Sequence, residues 1–228
     1  MSIIAENLAE IRARIAAAAV RVGRDPSEIT LVAVSKTHPE TAIREAYAAG
    51  QRVFAENYAQ HLRDKNVALS DLQGISWHFI GGLQKNKIKY ILGASALLET
   101  VDSIPLVREL DRAADGRPNP MTVECFVQVN VGRESRKSGV DPSEVEPLLQ
   151  AVEASKHLRL KGLMAIPPWD INPEESRRYF KALRDIRDAC GGSARLSELS
   201  MGMSGDFEQA VEEGATLVRV GTAIFGAR

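Results

Sequence analysis

The chain has 228 residues, a formal net charge of −1, 44% hydrophobic and 26% charged residues. That composition is ample for a core, and the balanced charge offers no general electrostatic case for nucleic acid or an anionic membrane. No window approaches the roughly 20 apolar residues of a membrane span. Cys125 and Cys190 have no CxxC partner, which argues against a disulfide framework or structural zinc and for a reducing cytosol.

Ile4, Leu8, Ile11, Ile15 and Ala18 recur at three and four and predict a first helix over 3–22. Glu6 and Glu10 make it an amphipathic helix and not a signal peptide. The β-branched, apolar run 31–34 reads as a buried strand that leads into Ser35, Lys36 and Thr37, and His38-Pro39 breaks it. A helix over 39–49 follows, then a strand over 52–57 and a helix over 58–69. The stretch 75–82 is a strand ending in glycines, ahead of a basic helix over 83–92. Next come a strand at 96–101, a helix at 104–114, a long strand at 121–131 and a helix at 142–155. The last units are a strand at 158–166, a helix at 174–189, a strand at 196–203, a helix at 206–213 and a strand at 216–220.

Eight strands, the first seven each followed by a helix, imply a parallel sheet with right-handed crossovers. Eight such units predict a closed (β/α)8 TIM barrel with an extra N-terminal helix, and an open doubly wound sheet is the alternative. With no linker or repeat, the expectation is one domain over 1–228.

In a barrel, chemistry gathers at the carboxyl ends of the strands. Lys36 stands there, where desolvation favours the nucleophilic amine over the ammonium; the plain alternative is a lysine extending into water. Asn57, His78 and Asn130 end other strands. No His/Asp/Glu cluster has metal-ligand spacing, so no metal is expected. LSMGMSGD and VRVGTAIFG place small and hydroxyl residues after the last two strands, where backbone N–H groups suit an anion; ordinary turns and caps are the alternative. Arg219 lies within a buried strand and needs a carboxylate or a ligand atom as partner. A lysine facing an anion cradle suits an aldehyde that bears a phosphate, either pyridoxal 5′-phosphate or the sugar phosphate of an aldolase. Lys85, Lys87 and Lys89 read as a solvated helix face.

The segments AVSKTHP, FAENYAQ, WHFIGGLQKNK, VNVGRESRKSG, LRLKGLMAIPP, LSMGMSGD and VRVGTAIFGAR, in this order over nearly the whole chain, resemble the pyridoxal phosphate homeostasis proteins (the YggS/PROSC family). The resemblance implies a barrel like the N-terminal domain of alanine racemase. Lys36 would carry pyridoxal 5′-phosphate as a Schiff base. Ser200, Gly202, Gly221 and Thr222 would hold the phosphate, with the Met201 backbone nearby. Arg219 would face the pyridine nitrogen, and Asn57 and His78 would line the ring pocket. Ala55 and Gly82 depart from the glycine and proline usual in the family.

Racemases of this fold use a second acid/base group from a further domain. The sequence stops soon after the eighth strand, and Tyr47, Tyr58, Tyr90 and Tyr179 all fall on predicted helices. The resemblance therefore implies a monomeric cytoplasmic carrier that buffers the cofactor or supplies it to apo-enzymes, without catalytic residues of its own; a pyridoxal-phosphate-dependent racemase or lyase is the alternative. Arg133, Arg136 and Lys137 form a charged loop expected near the mouth, to screen the cofactor or engage acceptor enzymes.

Overall fold

Eight short apolar runs pair side by side, all parallel and in chain order, and close into a barrel. The computed structural model describes residues 2–134, 138–168 and 171–226. The strands are β1 Thr30–Val34, β2 Val53–Glu56, β3 Ser76–Phe79, β4 Leu97–Val101, β5 Val123–Gln128, β6 Leu158–Met164, β7 Glu198–Ser200 and β8 Leu217–Val220. The helices are α1 Ile3–Arg21 ahead of the barrel, then α2 Glu40–Ala48, α3 Ala59–Ala68, α4 Ile88–Ala94, α5 Ile104–Asp115, α6 Val145–Glu153, α7 Pro173–Ala189, α8 Phe207–Glu212 and α9 Thr222–Phe225. Closure is made by β1 against β8, in register from Thr30↔Leu217 to Ala33↔Val220. The closed barrel, and not the open sheet, is the architecture.

Strand alternation sorts the core into two layers. Val32, Val34, Ala55, Phe126, Met164 and Leu217 fill the barrel interior. Phe54, Trp77, Phe79, Leu98, Leu163 and Val218 point outward into the larger core under the helices. Helix α1 buries Ile4, Leu8, Ile11, Ile15, Ala18 and Ala19, the stripe its periodicity predicts. It packs against α2, α8 and α9 and so covers the seam where β1 meets β8. Each fully buried leucine or isoleucine on that stripe contributes roughly 1.5–3 kcal/mol.

The elements differ from the sequence expectation where backbone geometry intervenes. Strand β7 stops at Ser200 because Gly202 turns to φ 91°. After the Gly81-Gly82 pair, the basic stretch begins as a 3-10 turn, Lys85–Lys87, before α4, with no side-chain cap. Just beyond β5, among the described residues, the chain makes one isolated bridge, Val129↔Val140. Helix α9 was not expected: four residues are too few to show a period. It gives the eighth strand its helix as well.

Candidate functional site

The site begins with the turn after β1. Val32 and Val34 face the interior, and the alternation carries Lys36 to the same side, half-buried at the strand's carboxyl end. The Ser35 amide still donates to the Ala55 carbonyl at 3.0 Å, and the His38 amide closes the turn onto the Ser35 carbonyl at 3.1 Å. Thr37 takes φ 69°, a left-handed conformation that costs a β-branched residue of the order of 1–2 kcal/mol. Val34 pairs with Ala55, so two residues further on Lys36 and Asn57 are neighbours at the mouth. Asn57 Oδ1 is buried and accepts no hydrogen bond from the described residues, an acceptor suited to a ligand donor. Gly81 is required beside it, because a Cβ there would lie 2.0 Å from the Asn57 carbonyl oxygen.

Behind this turn lies an ion pair in the outer wall. Lys65 on α3 donates to Glu56 Oε1 at 2.6 Å and to the Ser35 carbonyl at 2.8 Å, and the Ser35 hydroxyl donates to the same Glu56 oxygen at 2.7 Å. Glu56 is fully buried.

Below the mouth a polar chain crosses the interior. His78 Nδ1 lies 2.6 Å from Glu99 Oε1. The Ser200 hydroxyl donates to Glu99 Oε2 at 2.6 Å and accepts from Arg219 at 2.5 Å. Arg219 also donates to the Ala165 carbonyl at 2.9 Å. Burial pushes the Glu99 carboxyl up, but His78, Arg219 and the Ser200 hydroxyl outweigh it and hold the group below its usual range. The His78 tautomer that donates to an ionised Glu99 carries its proton on Nδ1. Burial lowers the Arg219 guanidinium from its usual value, opposed by Glu99 and Asp206.

The turns after β7 and β8, where the sequence leads one to expect an anion cradle, meet at Ser204. Ser204 Oγ accepts from the Gly221 amide at 3.3 Å and lies 3.5 Å from the Ala223 amide. Thr222 opens α9 and is exposed beside them. A Cβ on Gly221 would meet the Val34 carbonyl oxygen at 3.2 Å, so this turn lies against the end of β1, next to Lys36. His38 stacks on Phe225 with ring centroids 5.0 Å apart and joins the two turns a second time.

The profile of the alanine racemase N-terminal domain family matches residues 6–228. A pyridoxal phosphate homeostasis protein of Pseudomonas aeruginosa is 45% identical over 228 residues, covering 100% of this chain and 97% of that protein. Its Escherichia coli K12 namesake is 44% identical over 235 residues, covering 100% and 98%. The chain belongs to the pyridoxal phosphate homeostasis family. A solved structure, PipY of Synechococcus elongatus with PLP bound, superposes with a TM-score of 0.85 at 38% identity, covering 98% of this chain and 100% of that one.

Within this family member the structure brings Lys36, Asn57, Gly221 and Thr222 to the mouth, and sets His78 and Arg219 one layer below. Three residues expected around the phosphate are engaged elsewhere. Ser200 spends its hydroxyl on Glu99 and Arg219 in the interior. The Met201 amide donates to the Leu217 carbonyl as a sheet bond, and its side chain is buried among the helices. Gly202 is structural: its carbonyl accepts from the Arg219 amide, and a Cβ would lie 2.4 Å from Ala210 Cβ.

Sequence reasoning missed Ser204 and Glu99. Ser204 is one of two serines in LSMGMSGD, and only the fold shows that it, and not Ser200, meets the Gly221 and Ala223 amides. Glu99 was signalled by a lone charge inside the apolar run LLETV. Tyr58 is also relocated: it caps α3 directly after Asn57, exposed at the mouth end and edge-on to His61. Lys87 and Lys89 join Arg63 around the Tyr90 ring, a solvated cation–π cluster. Of the charged loop, Arg133 is described, at φ 50°, whereas Arg136 and Lys137 lie outside the described residues.

Proposed function

We propose that this protein binds pyridoxal 5′-phosphate at the barrel mouth, tethers it reversibly on Lys36, and so buffers the cofactor or supplies it to apo-enzymes. The observation that carries this reading is the juxtaposition of an inward-facing lysine after β1 with the Ser204–Gly221–Thr222 turn that packs on the same strand end. The bound cofactor supplies an aldehyde, with which the Lys36 amine condenses to a Schiff base as water leaves. The phosphate falls to the hydroxyls of Ser204 and Thr222, which flank the Gly221 turn. This keeps Gly221 and Thr222 of the expected set, puts Ser204 in place of Ser200 and Gly202, and sets the Met201 backbone aside. Asn57 offers its buried oxygen to the ring's polar edge.

Arg219 faces the pyridine nitrogen from below. A guanidinium does not surrender its proton in a protein, so the ring nitrogen stays unprotonated and stabilises a carbanion poorly. That favours carriage over amino-acid turnover, in keeping with relatives named for homeostasis. On this reading the protein is one barrel domain over residues 1–228, a monomer, and cytoplasmic.

The test is borohydride reduction of the purified, cofactor-loaded protein with mass mapping. Lys36 should carry the reduced adduct, and Lys36→Ala should lose it while keeping its fold by circular dichroism. An adduct mapped to another lysine would defeat the assignment. Steady turnover of any L-amino acid in a panel would replace the carrier reading with an enzyme.

A further inference from the structure

The interior beneath Lys36 holds one carboxylate that this reading leaves without a role. Glu99, on β4, is fully buried. One of its oxygens is fixed by His78 from β3 and the other by the Ser200 hydroxyl from β7. Ser200 in turn accepts from Arg219 on β8, and the other arm of Arg219 is fixed by the carbonyl of Ala165, just past β6. Glu99 and Arg219 themselves stay 3.7 Å apart.

A guanidinium is planar and rigid, so holding it at two corners sets the direction of its other donors. One corner rests on a backbone carbonyl. The other rests on a hydroxyl whose orientation is set by the Glu99 carboxylate. Without the hydroxyl, the attraction between opposite charges would draw Arg219 toward Glu99 and away from its present direction. Without the carboxylate, Ser200 would lose its acceptor and the buried cation its counter-charge.

We infer that Glu99 is a positioning residue: acting through Ser200, it aims Arg219 at the ring nitrogen and balances its charge, so that the site selects a ring bearing a nitrogen acceptor there. Glu99 touches no ligand itself. The inference rests on the proposed contact between Arg219 and the ring nitrogen.

The experiment compares dissociation constants for pyridoxal phosphate and for its deaza analogue, in which C–H replaces the ring nitrogen. Wild type, Glu99→Gln and Ser200→Ala are titrated with both. Wild type should prefer pyridoxal phosphate by about tenfold or more, the worth of a hydrogen bond from a charged donor. Both variants should lose most of that preference while binding the analogue about as well as wild type does. Ser200→Ala deletes only the bridging hydroxyl, and it decides the matter if Glu99→Gln does not fold. A variant that weakened both ligands equally, or Ser200→Ala with full preference, would show a purely structural ion pair and overturn the inference. Equal binding of the two ligands by wild type would instead remove the Arg219 contact on which the inference rests.

Discussion

Lys65 Nζ lies 2.6 Å from Glu56 Oε1, inside the wall directly behind the residue that precedes Lys36. The pair ties α3 to the ends of β1 and β2. Breaking one half strands the other in a dry site. Lys65→Met should cost about 3–5 kcal/mol in urea unfolding, and adding Glu56→Gln should recover a large part of that loss. A single-variant loss under about 1 kcal/mol would show that water already reaches the pair.

Acid should attack the interior through Glu99. Its folded-state carboxyl is held below the ordinary value of 4.5, because His78, Arg219 and Ser200 outweigh its burial. The unfolded chain therefore binds the proton first as pH falls. The stabilisation is full above about pH 4.5 and drains away as pH drops through the lower folded-state value. Unfolding free energies measured from pH 6 to pH 3 should fall along this limb, and the limb should be shallower in Glu99→Gln. An equally steep limb in the variant would assign the acid sensitivity to other groups.

The anion cradle makes a prediction that separates two serines in one short segment. Ser204→Ala and Thr222→Val should each weaken cofactor binding by about 1–3 kcal/mol, the worth of a hydrogen bond to a charged group. Inorganic phosphate should protect wild type against heating more than it protects either variant. Unchanged cofactor affinity in both would place the phosphate elsewhere.

Gly81 has a sharper test. A methyl group there collides with the Asn57 carbonyl at 2.0 Å, and backbone must move to admit it. Gly81→Ala should cost about 1–3 kcal/mol of stability and also lower cofactor affinity, since the displaced residue is the one whose buried side-chain oxygen has no hydrogen-bond partner among the described residues. Gly82→Ala is the control: nothing lies within 4 Å of its Cβ, so both readouts should stay near wild type. Similar losses in the two variants would refute the steric account.

Much of this molecule is written in periodicity. Alternation along the strands and the three-and-four spacing of Ile4, Leu8, Ile11 and Ile15 are local properties of the chain, set by backbone geometry, and they predict the barrel and its covering helix directly. Lys36 was legible for the same reason: an apolar strand interrupted by Lys-Thr-His-Pro can end only one way. Arg219 was legible as a buried charge in want of a partner. The identity of that partner was not.

Glu99 and Ser200 are 101 residues apart, and Ser200 and Arg219 are 19 apart on neighbouring strands. Which of their side chains meet depends on strand order, register and the closure of β8 onto β1, none of which any single segment encodes. Tertiary structure therefore decided the division of labour in LSMGMSGD, with Ser200 turned inward to a carboxylate and Ser204 left at the rim against the Gly221 and Ala223 amides. The sequence by itself determined that a lysine ends the first strand and that small and hydroxyl residues follow the last two. Closure of the barrel decided that Lys36 lies beside the Gly221 turn, because only closure brings the first and last strands into contact.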